Sequence, residues 1–343
     1  MLHITNGDMA ANLLRQCGLD GDVLPWREMW IDGPARIQWD AAEAVEERAV
    51  YFEQTLGIPK ETFQRISMDQ LASLTAAADA EEPVVLWFEY DLFDQTMLAS
   101  LLNWFHRRKT AGAPVGRLEW IVVSSYSGHD DFRGLGELSP EQLQTLWPQR
   151  AVVGNADIAF AAEAWQCFAS IDPQLLEKWL VKRAPSETAQ MMAQAMRFHL
   201  RRFPSIRNGL GAVERETLSL LCHGPARPDE LFRRIGDAFP IYGLGDLSYW
   251  SYLKRMESAG MLVIQGDQPL PGFKSVGPPD FDMWLVILAA YGTRLLAGQS
   301  DLLRDGRHAE RWLGGVRIDS GATKAWRCAG GDREGGGASM IFM

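Results

Sequence analysis

The sequence predicts an α/β protein whose amino-terminal part is a parallel sheet flanked by helices. Short apolar runs at residues 2–4, 84–88 and 118–123 are typical of buried strands. Segments with the apolar period of a helix lie between these runs, for example at residues 92–109. Because the connections are long enough for crossovers, this alternation favours parallel, Rossmann-like strands covered by helices.

The carboxy-terminal part of the sequence predicts a different arrangement. Periodic segments at residues 213–222 and 228–235 and a third one opening at Gly245 are punctuated by glycine and proline. A strand-like run at residues 261–265 follows. Three helices followed by a strand is the order of elements in a winged-helix-like domain.

The length of 343 residues predicts two or three domains. We expect an α/β domain with a strand-end site at residues 1–150, then a helical connector at residues 151–205. A winged-helix-like carboxy-terminal domain is predicted for residues 206–328. Residues 329–343 are predicted to be a disordered tail, because the stretch from 330 to 337 is rich in glycine.

Composition and charge restrict the classes of protein to consider. Apolar content of 47% and charged content of 23% are typical of globular proteins, and no apolar run is long enough for a membrane span. The amino terminus lacks a signal-peptide pattern, and the four cysteines have no metal-binding spacing, so we expect a cytoplasmic protein. Residues 1–105 hold about 18 acidic and about 6 basic residues. This imbalance argues against DNA binding there and allows a cationic ligand, although an acidic surface can also serve solubility alone.

The strongest functional signal is the stretch at residues 84–95, where three carboxylates follow a buried strand. In open α/β sheets ligands bind at the carboxyl ends of the strands. Glu89, Asp91 and Asp94 could bind Mg²⁺ or Mn²⁺, or work as an acid/base pair, and Gln95 adds an amide. The structural alternative is helix capping, which accounts for Asp91 and Asp94 but explains Glu89 poorly.

A second candidate region follows the first strand. His3, Asn6, Gly7 and Asp8 place polar groups beside a predicted helix amino terminus, which suits an anion such as phosphate. The structural alternative makes Asp8 the N-cap and the Asn-Gly pair a turn. The spacing matches neither the dinucleotide fingerprint nor the phosphate loop. Two further residues, in the loop after the second strand, are candidates for closing over a ligand: Trp26 and Arg27.

Several blocks of the sequence together resemble a known bacterial family. They are HITNGD (3–8), LPWR (24–27), GP (33–34), LWFEYDLFDQ (86–95), GLGEL (134–138), FPSIRNGL (203–210) and RWLGGV (311–316). The first five resemble a family catalogued as a domain of unknown function, number 1835 in that series. The last two are similar to the companion carboxy-terminal domain that often follows it. The resemblance implies a shared architecture and no particular activity.

We therefore hypothesise an enzyme that acts on a small phosphorylated or nucleotide-like ligand, with a divalent cation as a candidate cofactor. In this hypothesis Glu89, Asp91 and His3 are catalytic, and Asn6 and Asp8 meet the ligand. One rival is a ligand-sensing transcription regulator, in which Lys254 and the neighbouring arginine would contact DNA phosphates. The basic stripe there is weak, so nucleic acid is the less favoured partner. Another rival is a non-catalytic adaptor. The sequence leaves the metal, the substrate and the oligomeric state open.

Overall fold

A five-stranded sheet organises the amino-terminal part of the protein. The computed structural model describes residues 1–274, 280–330 and 338–343. The strands of the sheet are β1 (Leu2–Asn6), β2 (Asp22–Trp26), β3 (Val84–Glu89), β4 (Leu118–Val123) and β5 (Ala151–Val152). They lie in the order β2-β1-β3-β4-β5. The first four strands along the chain are parallel, and β5 is antiparallel to β4.

The order of the strands creates a switch point between β1 and β3. The chain passes from β1 outward to β2, then returns to place β3 on the other side of β1. Leu2 pairs with Val84, and Glu89 at the end of β3 pairs with Val123 of β4. The predicted parallel pairing of the three apolar runs is thereby confirmed, and their carboxyl ends share one edge of the sheet.

Helices cover both faces of the sheet. The helices of this part are α1 (Gly7–Gln16), α2 (Ala42–Leu56), α3 (Lys60–Asp79), α4 (Leu92–Thr110) and α5 (Pro140–Leu146). Side chains of β3 alternate between the two faces, so Val85 and Trp87 pack with α1 and α5, whereas Leu86 and Phe88 pack with α3 and α4. Apolar side chains on both faces explain why the whole of β3 is buried.

Three helices link the sheet to the carboxy-terminal part. They are α6 (Asn155–Phe168), α7 (Gln174–Trp179) and α8 (Glu187–Leu200), and their breaks fall where Pro173 and Ser186 predict them. Both α6 and α8 pack on α4, so the segment is continuous with the core of the sheet. Among the helices of the described residues, none combines the length and the apolar character that crossing a membrane requires.

The carboxy-terminal part contains three helices followed by paired strands, in the predicted order. The elements are α9 (Ala212–Leu221), α10 (Pro228–Ala238), α11 (Asp246–Ser258), β6 (Leu262–Gln265), β7 (Leu285–Leu288), α12 (Ala290–Leu296), β8 (Arg311–Leu313), β9 (Val316–Ile318), β10 (Trp326–Ala329) and β11 (Ser339–Phe342). Helix α11 packs against β6 and also against α2 of the amino-terminal part. Ala226 forms an isolated antiparallel bridge with Val286 of β7, so a third segment lies beside the β6–β7 pair.

The prediction of a disordered tail at residues 329–343 is wrong for its last part. The strand Ser339–Phe342 pairs antiparallel with β10. Met340 is buried, its N–H donates to Glu177, and its carbonyl accepts from Gln174 of α7. Burial of one apolar side chain and bonding of its backbone order the segment despite the glycine-rich stretch before it. Of the glycine-rich residues 330–337, those from 331 onward lie outside the described residues.

Candidate functional site at the carboxyl ends of the strands

Three carboxylates meet where β3 turns into α4. Glu89 is the last residue of β3, Asp91 is the N-cap of α4, and Asp94 lies in its first turn. Oxygen atoms of the three side chains lie within 4.8 Å of one another, and all three side chains are buried. The cap itself holds the arrangement, because Asp91 Oδ1 accepts the Asp94 backbone N–H at 2.9 Å and Asp94 Oδ2 accepts the Glu89 N–H at 2.6 Å.

Neutral donors from two other elements complete this carboxylate cluster. The Asn6 side chain, at the end of β1, donates through Nδ2 to Glu89 Oε1 at 3.2 Å and to Asp94 Oδ1 at 2.7 Å. The backbone N–H of Leu135, in the loop after β4, donates to Glu89 Oε1 at 2.6 Å. Strands β1, β3 and β4 therefore each contribute to one site at the switch point.

Two glycines let backbone approach the carboxylates closely. A Cβ at position 134 would lie 2.4 Å from Glu89 Oε2, and one at position 243 would lie 2.4 Å from Asp91 Cγ. Gly243 also has a φ of +56°, a conformation that favours glycine. Sequence reasoning missed the roles of Leu135 and Gly243. The Gly134-Leu135-Gly136 pattern was a signal for the first, whereas position 243 carries no local signal.

The cluster has an excess of negative charge. No lysine or arginine in the described parts of the chain forms an ion pair with Glu89, Asp91 or Asp94. Burial, with hydrogen bonds opposing it, raises the pKa of Glu89 to about 7. Burial and the neighbouring Glu89 charge raise the pKa of Asp91 to about 8, and the pKa of Asp94 is raised well above its usual range for the same reasons. Close buried carboxylates without a counter-charge either keep protons or bind a cation.

The donor set suits a hard divalent cation. Carboxylate oxygens are the ligands that Mg²⁺ and Mn²⁺ prefer, and three of them lie here within the span that one ion can bridge. The same arrangement could share protons as an acid/base pair, as close carboxylates do in some enzymes. In both cases Asn6 acts as a positioning residue, because its amide holds Glu89 and Asp94 together.

The amino terminus of α1 lies beside the carboxylate cluster and has free space next to it. Asn6 is the N-cap of α1, but its side chain bonds the carboxylates rather than the helix. A Cβ added at Gly7, where φ is +69°, would meet no atom within 4 Å. One interpretation of the sequence made Asp8 the N-cap of α1, but the N-cap is Asn6. The exposed Asp8 carboxylate instead accepts hydrogen bonds from Nε and Nη2 of Arg27, which lower the pKa of Asp8.

The structure does not bring His3 to the carboxylates. Its ring packs against Trp87 of β3 and against Trp147, which directly follows α5. One ring nitrogen accepts the Trp87 indole N–H at 3.1 Å, the other is 3.2 Å from the Asp20 carbonyl, and burial lowers the pKa of His3. In the register of β1 and β3, His3 pairs with Val85. Val85 lies four residues before Glu89, and four residues span about 13 Å along a strand. His3 fills a core position.

Trp26 and Gln95, two of the predicted ligand-binding residues, make structural contacts. Trp26 is buried and packs edge-on against Trp39, so it is part of the core and does not close over the site. Of the two loop candidates only Arg27 remains at the surface, held by Asp8. Gln95 is buried, and its Nε2 donates to the Glu89 carbonyl at 2.5 Å. Its side chain therefore fixes the end of β3, while its Oε1 has no hydrogen-bond partner within the residues that the structure describes.

Neither the scan of protein-family models nor the search of curated proteins found a match to this chain. The resemblance to the domain family described above accordingly stays a prediction. The geometry of the strand-end site is what supports a function.

Proposed function

We propose that the protein is an enzyme that uses a divalent cation, Mg²⁺ or Mn²⁺, to act on a small phosphorylated or nucleotide-like ligand. The observation that carries the proposal is the group of three buried carboxylates at the switch point, with no basic residue paired to them within the described residues. Such a group is costly without a cation, because each charge is desolvated and repels the others. In this proposal Glu89, Asp91 and Asp94 are the protein ligands.

The amino terminus of α1 supports a phosphorylated ligand. The open space at Gly7 adjoins backbone N–H groups that the Asn6 side chain does not cap. A phosphate there would meet the positive end of the helix and could share an oxygen with the cation. When bound, the cation would polarise that phosphate and offset its charge.

Cation binding by the intact protein tests this proposal directly. We expect millimolar Mg²⁺ or Mn²⁺ to raise the Tm of the wild-type protein at pH 7.5, because an ion that binds only the folded state stabilises it. Glu89→Gln and Asp94→Asn keep the size of each side chain and remove its charge, so both variants should lose this increase.

Asp130→Asn is the matched control, since Asp130 lies on the loop after β4 at the same edge of the sheet but outside the carboxylate cluster. It should keep the full cation-dependent increase in Tm. A wild-type Tm that neither ion changes, or an equal increase in all the variants, would overturn the cation proposal.

The carboxy-terminal part also supports a finer structural proposal, a winged-helix-like arrangement. Its support is the order α9-α10-α11-β6-β7 together with the Ala226 bridge to β7. In such domains the third helix reads DNA. Here that helix is α11, whose Ser248 bonds Asp32 of the amino-terminal part and which packs against α2. These contacts favour an interaction between parts of the chain over DNA recognition.

A transcription regulator is the rival that this arrangement keeps open, and DNA binding tests it. We expect Lys254→Ala to leave the retention of the protein on mixed double-stranded DNA unchanged at low salt, because the Lys254 ammonium is 3.4 Å from the Pro271 carbonyl. A complex that weakens steeply with salt and with this substitution would favour the regulator instead.

A further inference from the structure

One segment of the carboxy-terminal part lies against the carboxylate cluster. Residues 236–243, from the end of α10 through the 3-10 turn Pro240–Tyr242, contact Asp91 at one end and Arg133 at the other. Gly243 fits against Asp91 so closely that a Cβ there would overlap the carboxyl group. At the other end Asp237 pairs with Arg133 of the loop after β4, and a Cβ at Gly236 would lie 2.9 Å from Arg133 Nη1. We call residues 236–243 the cover.

The closed position of the cover leaves polar groups unsatisfied. Tyr242 is buried, and its hydroxyl has no hydrogen-bond partner among the described residues. Next to the cover, Arg202 is also buried, and its Nη1 has no partner in the described parts of the chain, while an Asp32 carboxylate oxygen lies 3.8 Å from its Nη2. The cover contacts Asp91, a member of the carboxylate cluster that has no basic partner within the described residues. Each of these groups would gain water if the cover moved away, so the closed position is electrostatically unfavourable.

A cavity separates part of the cover from the loop after β4. It measures about 370 Å³, which is enough for a small metabolite. Its walls include Tyr90, the residue between two members of the carboxylate cluster, and the Arg133–Asp237 pair spans it. Parting the cover from the loop at this cavity would expose Asp91 without disturbing the sheet.

We propose that the cover is a movable element that controls access to the carboxylate cluster, and that the Arg133–Asp237 ion pair helps to hold it shut. The inference deepens the proposed function and rests on it, because the guarded site is the one assigned to the cation. The two side chains of the pair are 46% and 42% exposed, so the pair can break at little cost and reform. Closed, the cover excludes water from the carboxylates; open, it admits a ligand.

The test measures how readily the buried carboxylates react with a water-soluble carbodiimide and glycine amide in cation-free protein, read by mass spectrometry. Arg133→Ala removes the ion pair that crosses to the loop and should raise the rate of labelling at Asp91 and Glu89 about 2- to 3-fold. Gly243→Ala forces a Cβ against Asp91 and should raise that rate more than 10-fold. Labelling of exposed Asp246 serves as the internal reference.

Arg233→Ala is the matched control, because Arg233 pairs with the same Asp237 but lies on α10 and does not reach the loop. It should label like the wild-type protein. Equal labelling of Asp91 in wild type, Arg133→Ala and Gly243→Ala, with circular dichroism showing all three folded, would overturn the cover. The labelling needs no cation. If the variants label as expected but the protein does not bind Mn²⁺, the cover is supported and only the proposed function is refuted.

Discussion

At the scale of single residues, neutral hydrogen-bond donors hold the site together. Asn6 bridges Glu89 and Asp94, and the backbone of Leu135 reaches Glu89. Neutral donors lower the pKa of a carboxylate less than an arginine would, so burial prevails and the pKa values of the cluster rise. As a result, Glu89 and Asp91 titrate close to neutral pH, and the pKa of Asp94 is raised well above its usual range.

The first prediction concerns the pH dependence of stability. Glu89 has a pKa of about 7 in the folded protein, above its usual value, so folding retains a proton that the unfolded chain loses. The resulting stability is fully present below about pH 4 and is lost as the pH rises to about 7. In cation-free protein we expect Glu89→Gln to match the wild type near pH 5 and to exceed it at pH 8 by on the order of 3 kcal/mol. Urea unfolding of both proteins at the two pH values measures this difference.

Cation binding should reverse that pattern in the wild-type protein. An ion that needs ionised carboxylates binds more strongly as the pH rises, so saturating Mg²⁺ should raise wild-type stability more at pH 8 than at pH 5. A stability difference between wild type and Glu89→Gln that is the same at both pH values would show that Glu89 is ionised throughout.

The second prediction concerns Gly134. Its φ of 173° suits any residue, so a substitution there acts only through space. Gly134→Ala places a Cβ against Glu89 Oε2 and should cost about 1–3 kcal/mol while weakening Mn²⁺ binding. Gly245→Ala is the control, because a Cβ at that position meets no atom within 4 Å. Equal unfolding free energies for the two variants would contradict a tight fit at Gly134.

At the scale of elements, helix starts and strand ends place the chemistry. The start of α4 carries two of the three acids because Asp91 caps the helix and Asp94 bonds back to the end of β3. The capping alternative drawn from the sequence is thus correct for Asp91, and it coexists with the carboxylate cluster. The start of α1, in contrast, has no side-chain cap, since Asn6 bonds the carboxylates instead.

The third prediction concerns the last strand. Deleting residues 338–343 removes β11, exposes the partner strand β10 and takes away the buried Met340 side chain. We expect a loss of about 2 kcal/mol or more, and hydrogen exchange should show α7 less protected because its Gln174 and Glu177 lose their backbone partners. Unchanged protection of α7 would mean that β11 is peripheral in solution.

At the scale of the whole molecule, a buried polar junction joins the amino- and carboxy-terminal parts. Asp32 accepts the Ser248 hydroxyl at 2.8 Å, and its other oxygen faces Arg202 at 3.8 Å. Arg202 in turn donates to the Tyr252 hydroxyl. This junction fixes α11 against the sheet domain.

The fourth prediction concerns that junction. Asp32→Ala leaves Arg202 buried without its carboxylate and should cost about 3–5 kcal/mol in urea unfolding. Asp229→Ala removes an exposed partner of Arg227 and should cost less than about 1 kcal/mol. A small effect of Asp32→Ala would show that water already reaches Arg202 in the folded protein.

The sequence by itself determined the parallel sheet and the position of the three acids. Residues 84–88 are apolar enough to require burial on both faces, and the acids follow them directly, so local chemistry and topology agree. It also determined that Asp91 begins a helix, because capping depends on near neighbours.

Only the tertiary structure decided which groups meet those acids. His3 and Asn6 both belong to β1, yet a difference of three residues places one in the core and the other at the site. Leu135 and Gly243 come from loops far along the chain, and their contacts with Glu89 and Asp91 depend on how those loops fold back. Such long-range contacts produce no periodic pattern of residues in the sequence, because they arise from packing between elements and not from the conformation of any one element.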